Sequence, residues 1–290
     1  MRQAGAVTVE IRLGVALDQR AFEALAAELL RSGAAEVSDR ADAAGLTAAF
    51  PPEFTPKEAV ARASIAAAAT GLPLLTAELS AGPAVDWSGH WRRHFRPMRF
   101  GPLWIVPAWS DPPEGAALVL ELDPGLAFGT GAHATSALCL EWLVARLADR
   151  PPRRLLDLGT GSGLLGLSAL LLGVEQVVGA DIDPDAISTA AHNARANGLQ
   201  DRIELRGAEW SRPGERFPVV IANLVTIPLL EDAGLIAASL EPGGALVMSG
   251  VKEEEVDEVL ETYEAIGFGA FEITVRDGWA RLVGCFNAGR

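Results

Sequence analysis

A short apolar strand that runs into a glycine-rich turn constrains the fold of this chain more than any other feature. Residues 154–163 read Arg-Leu-Leu-Asp-Leu-Gly-Thr-Gly-Ser-Gly, and the apolar residues that follow predict a helix. A second apolar strand, residues 176–180, is closed by Asp181. This carboxylate follows the turn by about 20 residues, the spacing expected of a ribose-binding group in such a unit. The pattern predicts a pocket for a nucleoside cofactor.

Length and charge limit the classes of protein to which the chain can belong. With 290 residues, of which 49% are hydrophobic and 21% charged, it is long enough for two cores and has the composition of a soluble globular protein. Its formal net charge of -14 argues against binding of nucleic acid over a broad surface, because phosphate neutralisation needs clustered Lys and Arg. The acidity suits a basic partner, or it serves solubility alone.

The two cysteines and the apolar runs exclude several further classes. Cys139 and Cys285 form no CxxC or Cys/His pattern, so we expect no disulfide framework, no zinc or other metal site, and a reducing cytoplasm. Residues 1–17 lack the continuous apolar region of a signal peptide. The longest apolar run, residues 164–174, is far shorter than the roughly 20 residues that cross a bilayer. We therefore expect no membrane insertion.

The first 80 residues predict a small α+β domain. Apolar and polar residues alternate over 7–13, which is typical of a half-buried strand, and residues 21–31 have helical spacing. Strands at 35–38, 45–50 and 72–79 and a helix at 56–70 complete the order strand, helix, strand, strand, helix, strand. That order is ferredoxin-like. We interpret residues 1–80 as a substrate-recognition domain, the alternative being a stabilising appendage.

Residues 81–115 form the one basic island of the acidic chain. The island contains the tryptophans Trp87, Trp91, Trp104 and Trp109 and the arginines Arg92, Arg93, Arg96 and Arg99. One interpretation is a surface that meets RNA phosphate or a partner protein through Arg contacts and aromatic anchors. The other is an inter-domain linker whose tryptophans pack on both cores while its arginines reach into solvent. We favour the linker for the tryptophans, and for the arginines both interpretations stay open.

From residue 116 onward strands and helices alternate, which predicts a doubly wound α/β domain. The predicted strands cover residues 118–122, 154–158, 176–181, 203–205, 219–222 and 245–249, and the predicted helices cover 133–148, 164–172, 184–197, 227–240 and 253–266. Two last strands, 269–275 and 280–286, flank a turn-like Arg-Asp-Gly. The fold class is thus α/β, a Rossmann-like sheet that ends in an antiparallel hairpin and follows a small ferredoxin-like domain.

Asp157 decides between two cofactors for the glycine turn. Residues 161–166 match GxGxxG, which alone indicates a dinucleotide only weakly. Asp157, however, lies two residues before Gly159, where a carboxylate repels a pyrophosphate but can accept from the cationic amino group of a methionine moiety. Gly159 and Gly161 let the backbone approach the ligand closely. We therefore predict S-adenosylmethionine.

Two polar residues at strand ends complete the predicted site. Asp181 would hold the ribose hydroxyls; its alternative role as a helix cap is already taken by Asp183, which precedes Pro184. Asn223 ends the apolar strand 220–222, at the edge where ligands bind in such sheets. Its side-chain oxygen can accept a hydrogen bond from an attacking amine and so direct the nitrogen lone pair at the sulfonium methyl group. The competing role for Asn223 is to cap the next helix.

A glycine-rich segment, residues 122–136, is the third element of the predicted site. Its three glycines, together with Thr130, Thr135 and Ser136, can form a loop that closes over the cofactor and places hydroxyls at the start of the following helix. The alternative is a loop without a ligand.

Taken together, these motifs resemble the PrmA family, the methyltransferases of ribosomal protein L11. The resemblance is carried by residues 87–97, 123–131, 157–163, 181–184, 193–198, 222–224 and 249–251, and for the first 80 residues by topology only. It implies a class I methyltransferase domain over 116–290 whose cofactor contacts are Phe128, Thr130, Ser136, Gly159, Gly161, Asp181 and Asn223. The family usually has Gly-Thr-His-Pro-Thr-Thr where residues 131–136 read Gly-Ala-His-Ala-Thr-Ser, and Cys at the position of Thr160.

The resemblance also implies the reaction and its partners. A neutral lysine or N-terminal amine of ribosomal protein L11 attacks the methyl group of S-adenosylmethionine, with Asn223 as the catalytic residue. We expect a cytoplasmic monomer, with rRNA contact through Arg92, Arg93, Arg96 and Arg99 left open. The alternatives are methylation of a lysine in another protein, methylation of a small molecule, and a ribosome-binding assembly protein with a vestigial pocket.

Overall fold

The computed structural model divides the chain into two compact units, residues 1–94 and residues 95–290. It describes residues 7–13, 25–26, 28–29, 32, 34, 36–39, 45–50, 54–70, 74–79, 96–123, 133–147 and 150–287. No helix among these residues is long and apolar enough to span a membrane.

The first unit contains a four-stranded antiparallel sheet with one described helix. The strands are β1 (Val7–Leu13), β2 (Glu36–Asp39), β3 (Gly45–Phe50) and β4 (Leu74–Leu79), and their order in the sheet is β2-β3-β1-β4. Helix Pro56–Ala69 begins at Thr55, whose hydroxyl accepts from the Glu58 N–H in a capping box. The order confirms the ferredoxin-like prediction. Of the helix predicted over 21–31, only residues 25–26 and 28–29 are described, and they are helical.

The core of this unit follows from the alternation seen in the sequence. Val9, Ile11 and Leu13 project from one side of β1 and are buried. They share a cluster with Ala59 and Ala63 of the helix, so small residues let the helix approach the sheet closely.

The second unit is built on a seven-stranded sheet. Its strands are β8 (Arg154–Leu158), β9 (Gln176–Ala180), β10 (Ile203–Arg206), β11 (Phe217–Asn223), β12 (Leu240–Lys252), β13 (Phe268–Arg276) and β14 (Trp279–Phe286). They lie in the order β10-β9-β8-β11-β12-β14-β13. The first five are parallel, and β14 and β13 are antiparallel to their neighbours. The doubly wound sheet and its final hairpin are thereby confirmed.

The helices of this unit are Ala134–Leu147, Leu164–Leu171, Pro184–Ala196, Thr226–Glu231, Ala233–Ala238 and Val256–Ala265. The single helix predicted over 227–240 is wrong, because the chain forms two short helices that meet at Asp232. The last helix is preceded by a 3₁₀ turn, Glu253–Glu255.

The strand at 118–122 belongs to a different sheet from the one predicted. It forms as expected, as β7 (Leu118–Leu122), but pairs with β6 (Leu103–Pro107), which pairs with β5 (Met98–Phe100), in a separate three-stranded sheet. Its apolar alternation indicates a strand but carries no information about its partner. Residues 98–100 and 103–107 of the predicted linker are thus strands, while residues 80–95 lie outside the described residues. The three boundaries 1–80, 81–115 and 116–290 stay a prediction.

The parallel strands place four chain positions at one edge of the large sheet. Leu158, Ala180, Asn223 and Ser249 pair or neighbour one another at the carboxyl ends of β8, β9, β11 and β12. Leu155 and Leu156 of β8 are fully buried, as expected for a strand covered on both faces. Ligands bind at this edge in open α/β sheets.

Candidate functional site

The glycine turn after β8 is fixed to the neighbouring strand by its own backbone. The N–H groups of Gly159 and Thr160 both donate to the Ala180 carbonyl, at 2.8 and 2.9 Å. Gly159, Gly161 and Gly163 have φ values of 73°, 55° and 85°, which favour glycine. A Cβ at Gly159 would also overlap the Leu224 side chain. The turn therefore requires glycine both for its conformation and for the space beside it.

Asp157 lies beneath this turn and is almost completely buried. Its Oδ2 accepts from the Thr160 hydroxyl at 2.7 Å and from the Gly166 N–H at 2.9 Å. Its Oδ1 is buried and has no hydrogen-bond partner among the described residues. One oxygen thus holds the turn, and the other is a buried acceptor. The predicted contact with the amino group of the cofactor stays a prediction.

Burial raises the pKa of Asp157 to about 6, although its bonds from Thr160 and Gly166 oppose the shift and the Asp181 charge adds to it. Between about pH 4 and 6 the folded protein therefore binds a proton that the unfolded chain releases. The free energy of unfolding should fall as the pH rises through this window.

We expect the variant Asp157→Asn to lose this pH dependence. The difference in unfolding free energy between wild type and variant should change by about 2 to 3 kcal/mol from pH 4 to pH 7, because two pKa units correspond to that energy. Urea unfolding at pH 4, 5, 6 and 7 measures it. A constant difference over this range would contradict the raised pKa.

Asp181 supports the turn from the opposite side. Its Oδ2 accepts from the Gly161 N–H at 2.9 Å, and its Oδ1 accepts from the Asp183 N–H at 3.0 Å. Asp183 is the N-cap of helix Pro184–Ala196 and accepts from the Asp185 N–H. The prediction that Asp183 caps this helix is confirmed. Asp181 is half-buried, so its remaining lone pairs can accept from a ligand, and its ribose role stays a prediction.

Asn223 and Ser136 are brought together at the end of β11. The Asn223 Nδ2 donates to the Ser136 Oγ at 3.3 Å, and Ser136 is buried in the first turn of helix Ala134–Leu147. The N-cap of the helix after β11 is Val225, so Asn223 does not have the competing role of a cap. Phe128 and Thr130 lie outside the described residues, as does the rest of residues 124–132.

Gly250 keeps the backbone beside Asn223 in place. It has a φ of 84°, and a Cβ there would overlap the Leu224 carbonyl oxygen and lie 2.7 Å from its carbonyl carbon. Leu224 also donates its N–H to the Ser249 carbonyl at 3.0 Å. Residues 249–250 thus define the position of the segment that follows Asn223.

We expect Gly250→Ala to lower the free energy of unfolding by about 3 kcal/mol, because it combines a disfavoured φ with a backbone collision. Gly243→Ala is the matched control, since Gly243 has a φ of 79° but nothing within 4 Å of its Cβ position. That control should cost only about 1 kcal/mol. If thermal or urea unfolding gave the same loss of unfolding free energy for both variants, the backbone would have moved to remove the collision between the Cβ added at Gly250 and Leu224.

Asn193 lies within one of the family motifs, at residues 193–198, but no role was predicted for it. The structure buries this residue and bonds it to Asp123 and Ser162. The signal available in the sequence was a pair of asparagines, Asn193 and Asn197, one helical turn apart and followed by Gly198.

The basic island is described only in part. Arg96 and Arg99 are exposed, and the Arg99 guanidinium donates to the Gly101 carbonyl and lies 5.8 Å from the Trp104 ring centroid. Arg92 and Arg93 lie outside the described residues. Within the described part of the chain, no group of three or more His, Cys, Asp or Glu side chains is placed to hold a metal ion.

Comparison with known proteins gives consistent matches. Residues 1–286 match a family model described as "Ribosomal protein L11 methyltransferase (PrmA)". Relatives described as ribosomal protein L11 methyltransferase are 44% identical over 200 residues in Tolumonas auensis and 46% identical over 203 residues in Azotobacter vinelandii. Each match covers 69% of this chain and 68% of the relative. A crystal structure of ribosomal protein L11 methylase from Lactobacillus delbrueckii subsp. bulgaricus aligns with a TM-score of 0.59 and 26% identity, over 66% of this chain and 99% of that one.

Proposed function

The chain belongs to the ribosomal protein L11 methyltransferase (PrmA) family, and we propose that it methylates lysine side-chain and N-terminal amino groups of ribosomal protein L11. The methyl donor is S-adenosylmethionine. The observation that carries the proposal is the meeting of Asp181, the glycine turn and Asn223 at the carboxyl edge of one parallel sheet. The residues that we assign to cofactor support and to orientation of the amine are thereby on the same edge.

The residues at this edge fit S-adenosylmethionine. Gly159 and Gly161 contribute no Cβ to the turn, so a ligand would approach the backbone at these two residues. Asp181 would accept from the ribose hydroxyls, and the free Oδ1 of Asp157 would accept from the cationic amino group. Ser136, and by family resemblance Phe128 and Thr130, would complete the cofactor contacts.

Asn223 is the residue that we assign to the reaction itself. Its Nδ2 donates to Ser136, which turns the amide so that Oδ1 is left to accept from the attacking amine. When bound, S-adenosylmethionine supplies the methyl group: the amine nitrogen bonds to the methyl carbon as the carbon–sulfur bond breaks, and S-adenosylhomocysteine leaves. The amine must arrive neutral, although a free lysine has a pKa of about 10.4, so the site has to desolvate it. Holding the amine in line supplies most of the acceleration.

The first unit and the basic island would serve the protein substrate. We assign residues 1–80 to substrate recognition and 81–115 to the linker, with 116–290 as the catalytic domain. Contact with rRNA through Arg92, Arg93, Arg96 and Arg99 belongs to the same proposal, as do a monomeric state and a cytoplasmic location where ribosomal proteins are made. The net charge of -14 suits a basic protein substrate.

A direct experiment separates this function from its alternatives. The protein is incubated with methyl-labelled S-adenosylmethionine and either ribosomal protein L11 or the other large-subunit proteins, and methylated residues are mapped by mass spectrometry. We expect label on amino groups of L11. Label on other proteins only would overturn the substrate, and binding of cofactor without any transfer would favour an assembly protein with a vestigial pocket.

A further inference from the structure

Two asparagines take the place of a neighbouring strand at the end of β7. Asn197 accepts from the Glu121 N–H at 2.9 Å and donates to the Glu121 carbonyl at 2.7 Å. Asn193 does the same with Asp123, accepting at 3.0 Å and donating at 2.8 Å. Residues 121 and 123 are two positions apart, so their backbone N–H and C=O groups point to the same side of the chain. The two amides therefore form the pairs of hydrogen bonds that a neighbouring strand would form there. Asn193 and Asn197 lie about one turn apart on the same face, at the C-terminal end of helix Pro184–Ala196.

Asn193 differs from Asn197 in a third bond, which reaches the glycine turn. Its second Nδ2 hydrogen donates to the Ser162 carbonyl at 2.8 Å, and the residue is only 1% exposed. Ser162 lies directly after Gly161, whose N–H is held by Asp181. Both N–H groups and the oxygen of the Asn193 amide are therefore used. Asn197 instead donates to the Asn193 carbonyl within its own helix.

We propose that Asn193 is a positioning residue of the cofactor site, which ties the glycine turn to the end of β7 so that both segments respond together when the cofactor binds. The inference rests on the proposed function, because it takes the turn to be the cofactor support. Asp123, the residue that Asn193 holds, is the first residue of the family motif at 123–131. Asn193 thus links two motifs that lie far apart in the sequence.

The chemistry of the amide explains why the position requires Asn. A carboxylate at residue 193 would still accept from the Asp123 N–H but would face two carbonyl oxygens with no hydrogen to donate. Leaving buried carbonyls without their donor is costly. The turn itself contains three glycines with positive φ, which have no side chains of their own to fix its geometry, so it depends on bonds from outside the turn.

Asn193→Asp and Asn197→Asp form a matched pair for the first test. Both variants lose donation to a β7 carbonyl, but only Asn193→Asp loses the bond to the turn. Calorimetry with S-adenosylhomocysteine should give a Kd raised about tenfold or more for Asn193→Asp and less than about twofold for Asn197→Asp. The KM for ribosomal protein L11 should stay within about twofold of wild type in both. Equal Kd values for the two variants would show that Asn193 has only a structural role and does not position the glycine turn for the cofactor.

Amide hydrogen exchange tests the coupling itself. Saturating S-adenosylhomocysteine should slow exchange in wild type both over residues 159–166 and at Asp123. In Asn193→Asp, saturation should protect 159–166 but not Asp123, whereas Asn197→Asp should keep both effects. The wild-type measurement needs no variant, so unchanged exchange at Asp123 overturns the inference even if Asn193→Asp does not fold. Failure of wild type to bind the ligand at all would instead overturn the cofactor assignment on which the inference rests.

Discussion

Replacing Asp181 with alanine is expected to raise the Kd for S-adenosylmethionine by at least about 100-fold. The change removes the acceptors that we assign to the ribose hydroxyls and also the bond that holds the Gly161 N–H. Each hydrogen bond to a charged group contributes about 1.5 to 3 kcal/mol, so the loss of two accounts for this factor. Calorimetric titration of cofactor and of S-adenosylhomocysteine measures it.

Asp183→Ala is the control for this experiment. Asp183 is two residues away and caps helix Pro184–Ala196, so its loss should cost about 1 kcal/mol of unfolding free energy but leave the Kd near that of wild type. Asp181→Asn, which keeps one acceptor oxygen, should fall between wild type and Asp181→Ala. An unchanged Kd in Asp181→Ala would refute the ribose role.

Replacing Asn223 with alanine is expected to lower the rate of methyl transfer by about 100-fold while changing the Kd for the cofactor by less than about fivefold. The reason is that its side-chain oxygen acts on the incoming amine, so its loss affects the transition state more than the bound cofactor. Single-turnover measurements with ribosomal protein L11 at saturating cofactor isolate the transfer step. Calorimetry on the same sample gives the Kd.

Ser136→Ala tests how Asn223 is oriented. It removes the acceptor of the 3.3 Å bond from the Asn223 Nδ2 but leaves the amide in place, so we expect a loss of transfer rate well below that of Asn223→Ala. Asn223→Asp, which retains an acceptor oxygen, should keep more activity than the alanine variant. A wild-type rate in Asn223→Ala would remove Asn223 from the reaction.

Much of the fold could be predicted because its signals are local. The strands β8 and β9 and the helix that starts at Pro184 lie within a residue or two of their predicted bounds. The exceptions lie beyond such signals. The partner of β7 is a strand elsewhere in the chain, about which a period of two residues carries no information. The break at Asp232 divides a segment that the helical pattern predicts as one helix.

In the candidate site, too, some features could be predicted from the sequence and others only the structure shows. The spacing of Gly159, Gly161 and Asp181 indicated which residues gather at the sheet edge, and the structure joins Gly161 to Asp181. The internal role of one Asp157 oxygen was not foreseen, nor was the Thr160 hydroxyl that binds it, although Thr160 was noted as a departure from the family. A carboxylate beside a glycine turn can face the ligand or the core, and only the packing around it decides.

The sequence by itself thus determined the strands and helices that flank the glycine turn, the turn itself and the acidic residue that follows it, because positive φ angles, caps and apolar periods are encoded within about ten residues. Only the tertiary structure decided the contacts between distant segments: Asn223 with Ser136 across 87 positions, and Asn193 with Asp123 across 70 and with Ser162 across 31. Such contacts depend on which strands become neighbours. Asparagine forms them with backbone and side-chain groups alike, so its local sequence does not reveal its partner.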